Sequence, residues 1–127
     1  MSSYGWVAVR AANLLSNHLT DTPREAWRMA AREAFPHSQS LQEKGCPRSA
    51  FLGLCEEGLV SSVSPGDYCR ATKNKEYALR ALELLRTEPE LSAEPFELWM
   101  RVTESRYVQY NQQMEVVVAL WVAGLVK

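Results

Sequence analysis

The sequence has few of the residues that build metal centres or disulfide frameworks. Its 127 residues include two histidines, His18 and His37, without H-E-x-x-H spacing, and three cysteines without a C-x-x-C pair. A structural zinc site needs four closely spaced ligands, and a disulfide framework usually has an even number of cysteines. We therefore expect no metal, no cofactor and no disulfide, and a protein of the reducing cytoplasm.

Long apolar runs and a dominant charge are also missing. The longest apolar run, residues 116–126, has eleven residues, whereas a membrane span takes about 20. Residues 1–15 are interrupted by Arg10 and Asn13 and carry no basic leader, so no secretory signal is expected. The formal net charge is −1, which gives the whole chain no attraction for a polyanion. Membrane binding is not expected and nucleic-acid binding is disfavoured.

The stretch with the most signals of local structure covers residues 44–60, KGCPRSAFLGLCEEGLV. Pro47 suits the first position of a helix, where its missing N–H costs nothing. Gly58 suits the C′ position of a Schellman motif, with Leu59 packing on Leu54. The stretch therefore predicts a helix over 47–57, with Glu56 on its exposed side.

The C-terminal stretch VVVALWVAGLV repeats this pattern around Gly124, with Leu125 and Leu120 in the matching positions. We interpret the match as two helices that end with the same capping chemistry, since the identities fall on the positions of the motif itself. A duplicated unit is the alternative explanation.

Other patterns indicate further helices. The T-x-x-E sequence from Thr22, with a proline after it, predicts a capping box and a helix to Ala34. Helical spacing also covers residues 3–18 and 73–86, and Ser64–Asp67 is typical of a type II turn. One helix over 93–123 would be about 45 Å long at 1.5 Å per residue. We therefore place a break between Thr103 and Tyr110.

Within the last third, Ser92 and Asn111 are the predicted N-caps of the two resulting helices. The predicted fold is all-α. It is a single compact bundle of five to six short helices over residues 1–127, orthogonal rather than regularly up and down.

The residues 44–60, with TPREAW before them and KNKEYALRALELL after them, resemble an uncharacterised family of small bacterial proteins, a domain of unknown function. The likeness runs from about Tyr4 to Leu85, with a weaker echo in NQQMEVVVALW. The resemblance implies a cytoplasmic helical protein and supplies no activity, cofactor or catalytic residue.

The start of the 47–57 helix is a candidate anion or partner site formed by Lys44, Cys46, Arg48 and Ser49. Cations, backbone N–H groups and the helix dipole could hold a phosphate or carboxylate there. The same surroundings would lower the pKa of Cys46, with His37 as a conceivable base. The alternative is a solvated helix end with ordinary surface charges and no ligand.

Arg24, Arg28 and Arg32 recur every four residues along one edge of their helix and form a candidate partner-facing edge. The last helix has a second candidate surface, because its apolar arc is about 240° wide against the ~100° of a surface helix. Val116, Leu120 and Trp121 would then belong either to a central helix or to an oligomer or partner interface.

These observations favour a non-enzymatic, protein-binding module with an unidentified protein partner, or self-association as a homodimer. A regulator, an adaptor and an antitoxin- or immunity-type inhibitor all fit. The first alternative is a helix-turn-helix-like nucleic-acid-binding protein, although PRSAFLGLCEEG is too apolar for a groove-reading helix. The second is a thiol-dependent enzyme that uses Cys46.

Overall fold

The computed structural model describes residues 2–127, which fold into helices joined by short connections. Six helices have eight residues or more within this range, and they are accompanied by a one-turn helix and a 3₁₀ helix. In chain order the elements are α1 (Ser3–Ser16), α2 (Pro23–Ala34), α3 (Gln39–Gln42), α4 (Gly45–Glu56), α5 (Thr72–Thr87), the 3₁₀ helix (Pro89–Ala93), α6 (Pro95–Val102) and α7 (Gln113–Val122). The all-α class is confirmed, and the six longer helices agree with the predicted number of five to six.

Helix α7 lies at the centre of the molecule and contacts α1, α4, α5 and α6. Val116 and Leu120 are fully buried within the single chain, Trp121 is half-buried, and Val122 is exposed. The wide apolar arc thus serves mainly to fill the core, because other helices cover α7 on several sides. The part of this arc that a partner could still reach is its C-terminal turn.

Helices α1 and α2 pack closely through small side chains. Alanines are buried on both sides of their contact, namely Ala8, Ala11, Ala12, Ala26, Ala30 and Ala31. Trp27 is the large side chain of this layer, and its ring centroid lies 5.4 Å from that of Phe51 in α4. With its alanine face turned inwards, α2 exposes its arginine edge.

The two predicted glycine caps are both formed. Gly58 and Gly124 each have φ of 71°, in the left-handed region that a Schellman motif requires. The defining hydrogen bonds run from Leu59 N to Leu54 O at 3.0 Å and from Leu125 N to Leu120 O at 2.9 Å.

The residues that follow the two caps pair with each other. Val60 and Val126 form an isolated antiparallel bridge. The Ser61 N–H donates to the Leu125 carbonyl at 2.8 Å, and the Lys127 N–H donates to the Leu59 carbonyl at 2.8 Å. The ends of α4 and α7 are therefore joined through two segments of similar sequence. The sequence did not predict this contact.

The predicted start of α4 was wrong by two residues. The helix begins at Gly45 with Lys44 as N-cap, so Pro47 occupies the third position rather than the first. The N–H groups of the first turn have no partner within the helix. A proline at the third position therefore loses no hydrogen bond.

The predicted type II turn at Ser64–Asp67 is also wrong, because Gly66 lies outside the left-handed region that such a turn needs at its third position. The Gly66 N–H instead donates to the Glu56 carbonyl at 3.2 Å, which ties this segment to the end of α4. The left-handed residue of the loop is Ser62, with φ of 67°.

The predicted break in the last third is confirmed, but both predicted N-caps are wrong. The N-cap of α6 is Glu94 because the 3₁₀ helix occupies the residues before it. The N-cap of α7 is Gln112, in the left-handed conformation. The Asn111 N–H donates to the side chain of Gln113, so Asn111 is held outside the helix.

Candidate functional site

An arginine-rich groove lies between α2 and the segment that runs through α3 into α4. We call it the arginine groove; it encloses about 710 Å³. Its lining residues are Thr22, Arg24, Glu25, Trp27, Arg28, Arg32, Pro36, His37, Ser38, Gln39, Gln42, Glu43 and Arg48. The groove therefore joins the whole predicted arginine edge with one member of the predicted anion site, Arg48.

Local sequence rules place the arginines of α2. The Thr22 hydroxyl accepts a hydrogen bond from the Glu25 N–H at 3.1 Å, which starts the helix. The Glu25 side chain does not complete the predicted capping box. Its Oε2 instead accepts from Arg28 Nε at 2.9 Å. Four-residue spacing then sets Arg24, Arg28 and Arg32 in one row.

Positive charge exceeds negative charge in the arginine groove. Four arginines face two glutamates, Glu25 and Glu43, which leaves a formal surplus of two positive charges. No ion pair within residues 2–127 involves Arg24, Arg32 or Arg48. These three guanidinium groups are therefore available for a carboxylate or a phosphate, which they can bind in bidentate fashion.

Trp27 lines the arginine groove, and its indole N–H is a buried hydrogen-bond donor. The side chain is 1% exposed, and its Nε1 makes no hydrogen bond with any residue from 2 to 127. Leaving a buried donor without an acceptor costs about 1–3 kcal/mol. Because Nε1 is shielded from solvent, a molecule in the groove cannot reach it without movement of the surrounding side chains.

Three residues of the predicted anion site do not line the arginine groove. The Lys44 ammonium lies 5.7 Å from the centroid of the Tyr4 ring, at a cation–π distance. Cys46 is half-buried in the first turn of α4. The Ser49 carbonyl accepts a weak hydrogen bond from Cys69 Sγ at 3.5 Å. Of the four residues of the predicted anion site, Arg48 is therefore the one that lines the arginine groove.

The thiol groups are not arranged as a catalytic site. His37 lines the arginine groove, whereas Cys46 does not. Cys55 is buried in the core, and burial raises the pKa of its thiol, which makes it a poorer nucleophile. Cys69 Sγ is directed at backbone carbonyls.

The sequence did not identify the polar residues of the arginine groove that lie between α2 and α4. Ser38, Gln39 and Gln42 belong to a segment that the sequence marks only as polar. The Gln42 side chain donates to the Phe35 carbonyl at 2.7 Å, which holds α3 against the end of α2. The polar segment next to an arginine edge was the available signal for a second wall.

The prediction that Glu56 is exposed was wrong, since only 15% of its side chain is accessible. Its carboxylate accepts hydrogen bonds from Lys75 Nζ at 2.6 Å and from the N–H groups of Cys69 and Tyr68, both at 2.9 Å. These donors lower the pKa of Glu56 from 4.5 to about 2. Lys75 also contacts Glu57 at 2.7 Å. The cluster ties the loop after α4 to α5 and has a structural role.

A second surface lies where α6 begins and α7 ends. A shallow cavity of about 380 Å³ is lined by Ser2, Pro95, Glu115, Val118, Ala119 and Val122. Glu115 Oε2 is shielded there and makes no hydrogen bond with residues 2–127. Burial raises the pKa of this carboxyl group. Phe96 and Val122 are exposed at 63% and 67%.

Within residues 2–127, no helix combines the length and apolar character that crossing a membrane requires. The same residues contain no cluster of three or more histidine, cysteine, aspartate or glutamate side chains suited to a metal ion. Comparisons with curated proteins and with solved structures give no match. A family model does match, over residues 1–127, and the chain therefore belongs to a family of unknown function, DUF6979.

Proposed function

We propose that this protein is a cytoplasmic, non-enzymatic binding module of bacterial origin that acts by holding another protein in the arginine groove. A regulator, an adaptor and an antitoxin- or immunity-type inhibitor all act in this way. The observation that carries the proposal is the set of three guanidinium groups, Arg24, Arg32 and Arg48, in one groove without a carboxylate partner in the described chain. The three free thiols support a reducing compartment.

Binding is favoured over catalysis because the groove offers charge without a reactive group. Arginine side chains stay protonated and recognise anions by geometry. His37 is the only histidine among the lining residues, no cysteine accompanies it, and the Ser38 hydroxyl pairs with that of Ser40. We expect Cys46→Ser to retain both the fold and the partner, which a pull-down with the variant checks.

The nucleic-acid alternative has weaker support. In a helix-turn-helix protein the recognition helix has an exposed face that enters the major groove. The corresponding helix here is α4, whose Phe51, Leu52 and Leu54 are all buried in the core. Sequence-selective retardation of duplex DNA at submicromolar concentration would reverse this ranking.

The test is affinity capture from the native host with wild-type protein and two matched variants. The groove variant carries Arg24→Gln and Arg32→Gln, and the control variant carries Arg70→Gln and Lys73→Gln. All four residues are exposed and form no ion pair within residues 2–127. Both variants thus remove two positive charges at little cost in stability.

We expect mass spectrometry to find a protein that wild type and control retain and that the groove variant loses. Equal retention by both variants would overturn the proposed site. Recovery of nucleic acid in place of a protein would overturn the proposed class of partner.

Self-association is the second candidate, and it is favoured by the exposed Phe96 and Val122 at the junction of α6 and α7. Val116 and Leu120 cannot take part, since both are fully buried within one chain. Light scattering at tens of micromolar should show a dimer that Val122→Ser weakens. A monomer at that concentration would remove this candidate.

A further inference from the structure

We propose that the ligand of the arginine groove is an extended acidic segment of the partner protein, with two carboxylates four residues apart. The inference rests on the proposed function and adds the chemistry that would be recognised. Arg24 and Arg32 bind the two carboxylates, and Arg48 contributes from the opposite wall.

The spacing along α2 supports an extended ligand. Arg24 and Arg32 are eight residues apart in one helix, which corresponds to about 12 Å along the axis. An extended chain rises about 3.3 Å per residue, and residues i and i+4 point to the same side about 13 Å apart. Two acidic side chains with this spacing would therefore face both arginines at once.

The charges of the arginine groove favour separated carboxylates over a dense polyanion. Arg28 is already paired with Glu25, and this pair lies between the two unpaired arginines in the row. Glu43 lies in the same lining and accepts a hydrogen bond from Gln39. A ligand with a continuous row of phosphates would approach these glutamates, whereas a peptide can pass them with uncharged residues.

Trp27 provides a reporter for the arginine groove. It lines the groove and is almost completely buried, with its Nε1 shielded from solvent. A ligand bound to the arginines would therefore change the surroundings of the indole ring without accepting a hydrogen bond from it.

The test is a titration followed by proton–nitrogen correlation spectra, in which the indole N–H signal of Trp27 reports changes in the groove that this residue lines. The sequence has four tryptophans, and the indole signal absent from Trp27→Phe identifies the one to follow. The probes are a capped acidic peptide, Glu-Ser-Thr-Ser-Glu, whose two glutamates are four residues apart, a matched glutamine peptide with glutamine in both places, and inorganic phosphate. The groove and control variants defined above are titrated in parallel.

We expect the acidic peptide to shift the Trp27 indole signal saturably, with Kd of about 1 mM or tighter. The groove variant should weaken binding about threefold to tenfold, and the control variant should leave it unchanged. The glutamine peptide should have no effect. Raising the salt concentration should weaken binding, because exposed ion pairs are screened.

The proposal is overturned if the acidic peptide causes no saturable shift, if the glutamine peptide causes the same shift, or if inorganic phosphate binds more tightly than the acidic peptide. It is also overturned if both variants bind alike. A partner captured in a groove-dependent manner, together with a negative peptide titration, would leave the proposed function standing and remove only the acidic segment. Equal capture of the partner by wild type and by the groove variant would overturn the proposed function itself.

Discussion

Replacing either left-handed glycine by alanine should destabilise the protein, and the two replacements should differ in size. Gly58 and Gly124 have the same φ of 71° and end α4 and α7 with the same motif. Their surroundings differ. A Cβ at Gly124 would have no neighbour within 4 Å, whereas a Cβ at Gly58 would lie 3.2 Å from Pro65 Cδ and 3.3 Å from Pro65 Cγ.

The free-energy cost of the left-handed backbone is the same in the two variants. A residue with a Cβ in the left-handed conformation costs about 1–2 kcal/mol, and alanine regains about 0.4–1 kcal/mol because it restricts the unfolded chain. Gly124→Ala should therefore lose about 1 kcal/mol. Gly58→Ala adds an overpacked contact with the proline ring, which typically costs about 1–3 kcal/mol. The expected loss for Gly58→Ala is about 2–4 kcal/mol, and Gly58→Val should lose more because valine is β-branched.

Urea unfolding followed by circular dichroism measures both losses. The midpoints should fall in the order wild type, Gly124→Ala, Gly58→Ala, with unchanged m values if two-state unfolding holds. A loss of 1 kcal/mol corresponds to a change in Tm of about 3–6 °C for a domain of this size. Equal losses would refute the role of Pro65, and no loss in either variant would refute the assigned caps.

Gly53→Ala should destabilise the protein by about 1–3 kcal/mol in urea unfolding, although alanine is the better helix former. The reason is that the added Cβ would lie 2.8 Å from Lys75 Cβ and 2.9 Å from its Cα. A gain in stability would contradict this close approach. The pKa of Glu56 is lowered to about 2, so its contribution to stability is complete above about pH 4.5 and is lost as the pH falls towards 2. The Tm difference between wild type and Glu56→Gln should therefore narrow between about pH 7 and about pH 3, and a constant difference would argue against the tether. Leu120→Ala should cost about 2–5 kcal/mol and the exposed Val122→Ala about 0.5 kcal/mol or less, as measured by urea unfolding; similar losses would contradict the central position of α7.

Features fixed by neighbours in sequence were predictable. The cap of α2 involves Thr22 and Glu25, three residues apart, and each Schellman hydrogen bond spans five residues. Such contacts depend on the chain within one or two turns, so residue types and their spacing suffice. The all-α class followed from the same patterns. The errors at Pro47, Ser92 and Asn111 concern which of several permitted positions starts a helix.

Features that depend on which faces meet came only from the tertiary structure. The apolar arc of α7 fitted both a core helix and an interface, and the packing of four other helices around it placed Leu120 in the core. The pattern around Glu56 suggested an exposed residue, because its partners arrive from the following loop and from α5. Sequence spacing carries no information about such distant partners.

The arginine groove combines both kinds of information. The sequence determined one wall, since a period of four residues sets Arg24, Arg28 and Arg32 in a row on any α-helix. It did not determine the other wall. Arg48 faces that row, and Trp27 stays without an acceptor, because α2 turns its alanines towards α1 while α3 and the start of α4 fold back beside it. Periodicity specifies the side of a helix that a residue occupies, but only long-range packing specifies what lies opposite.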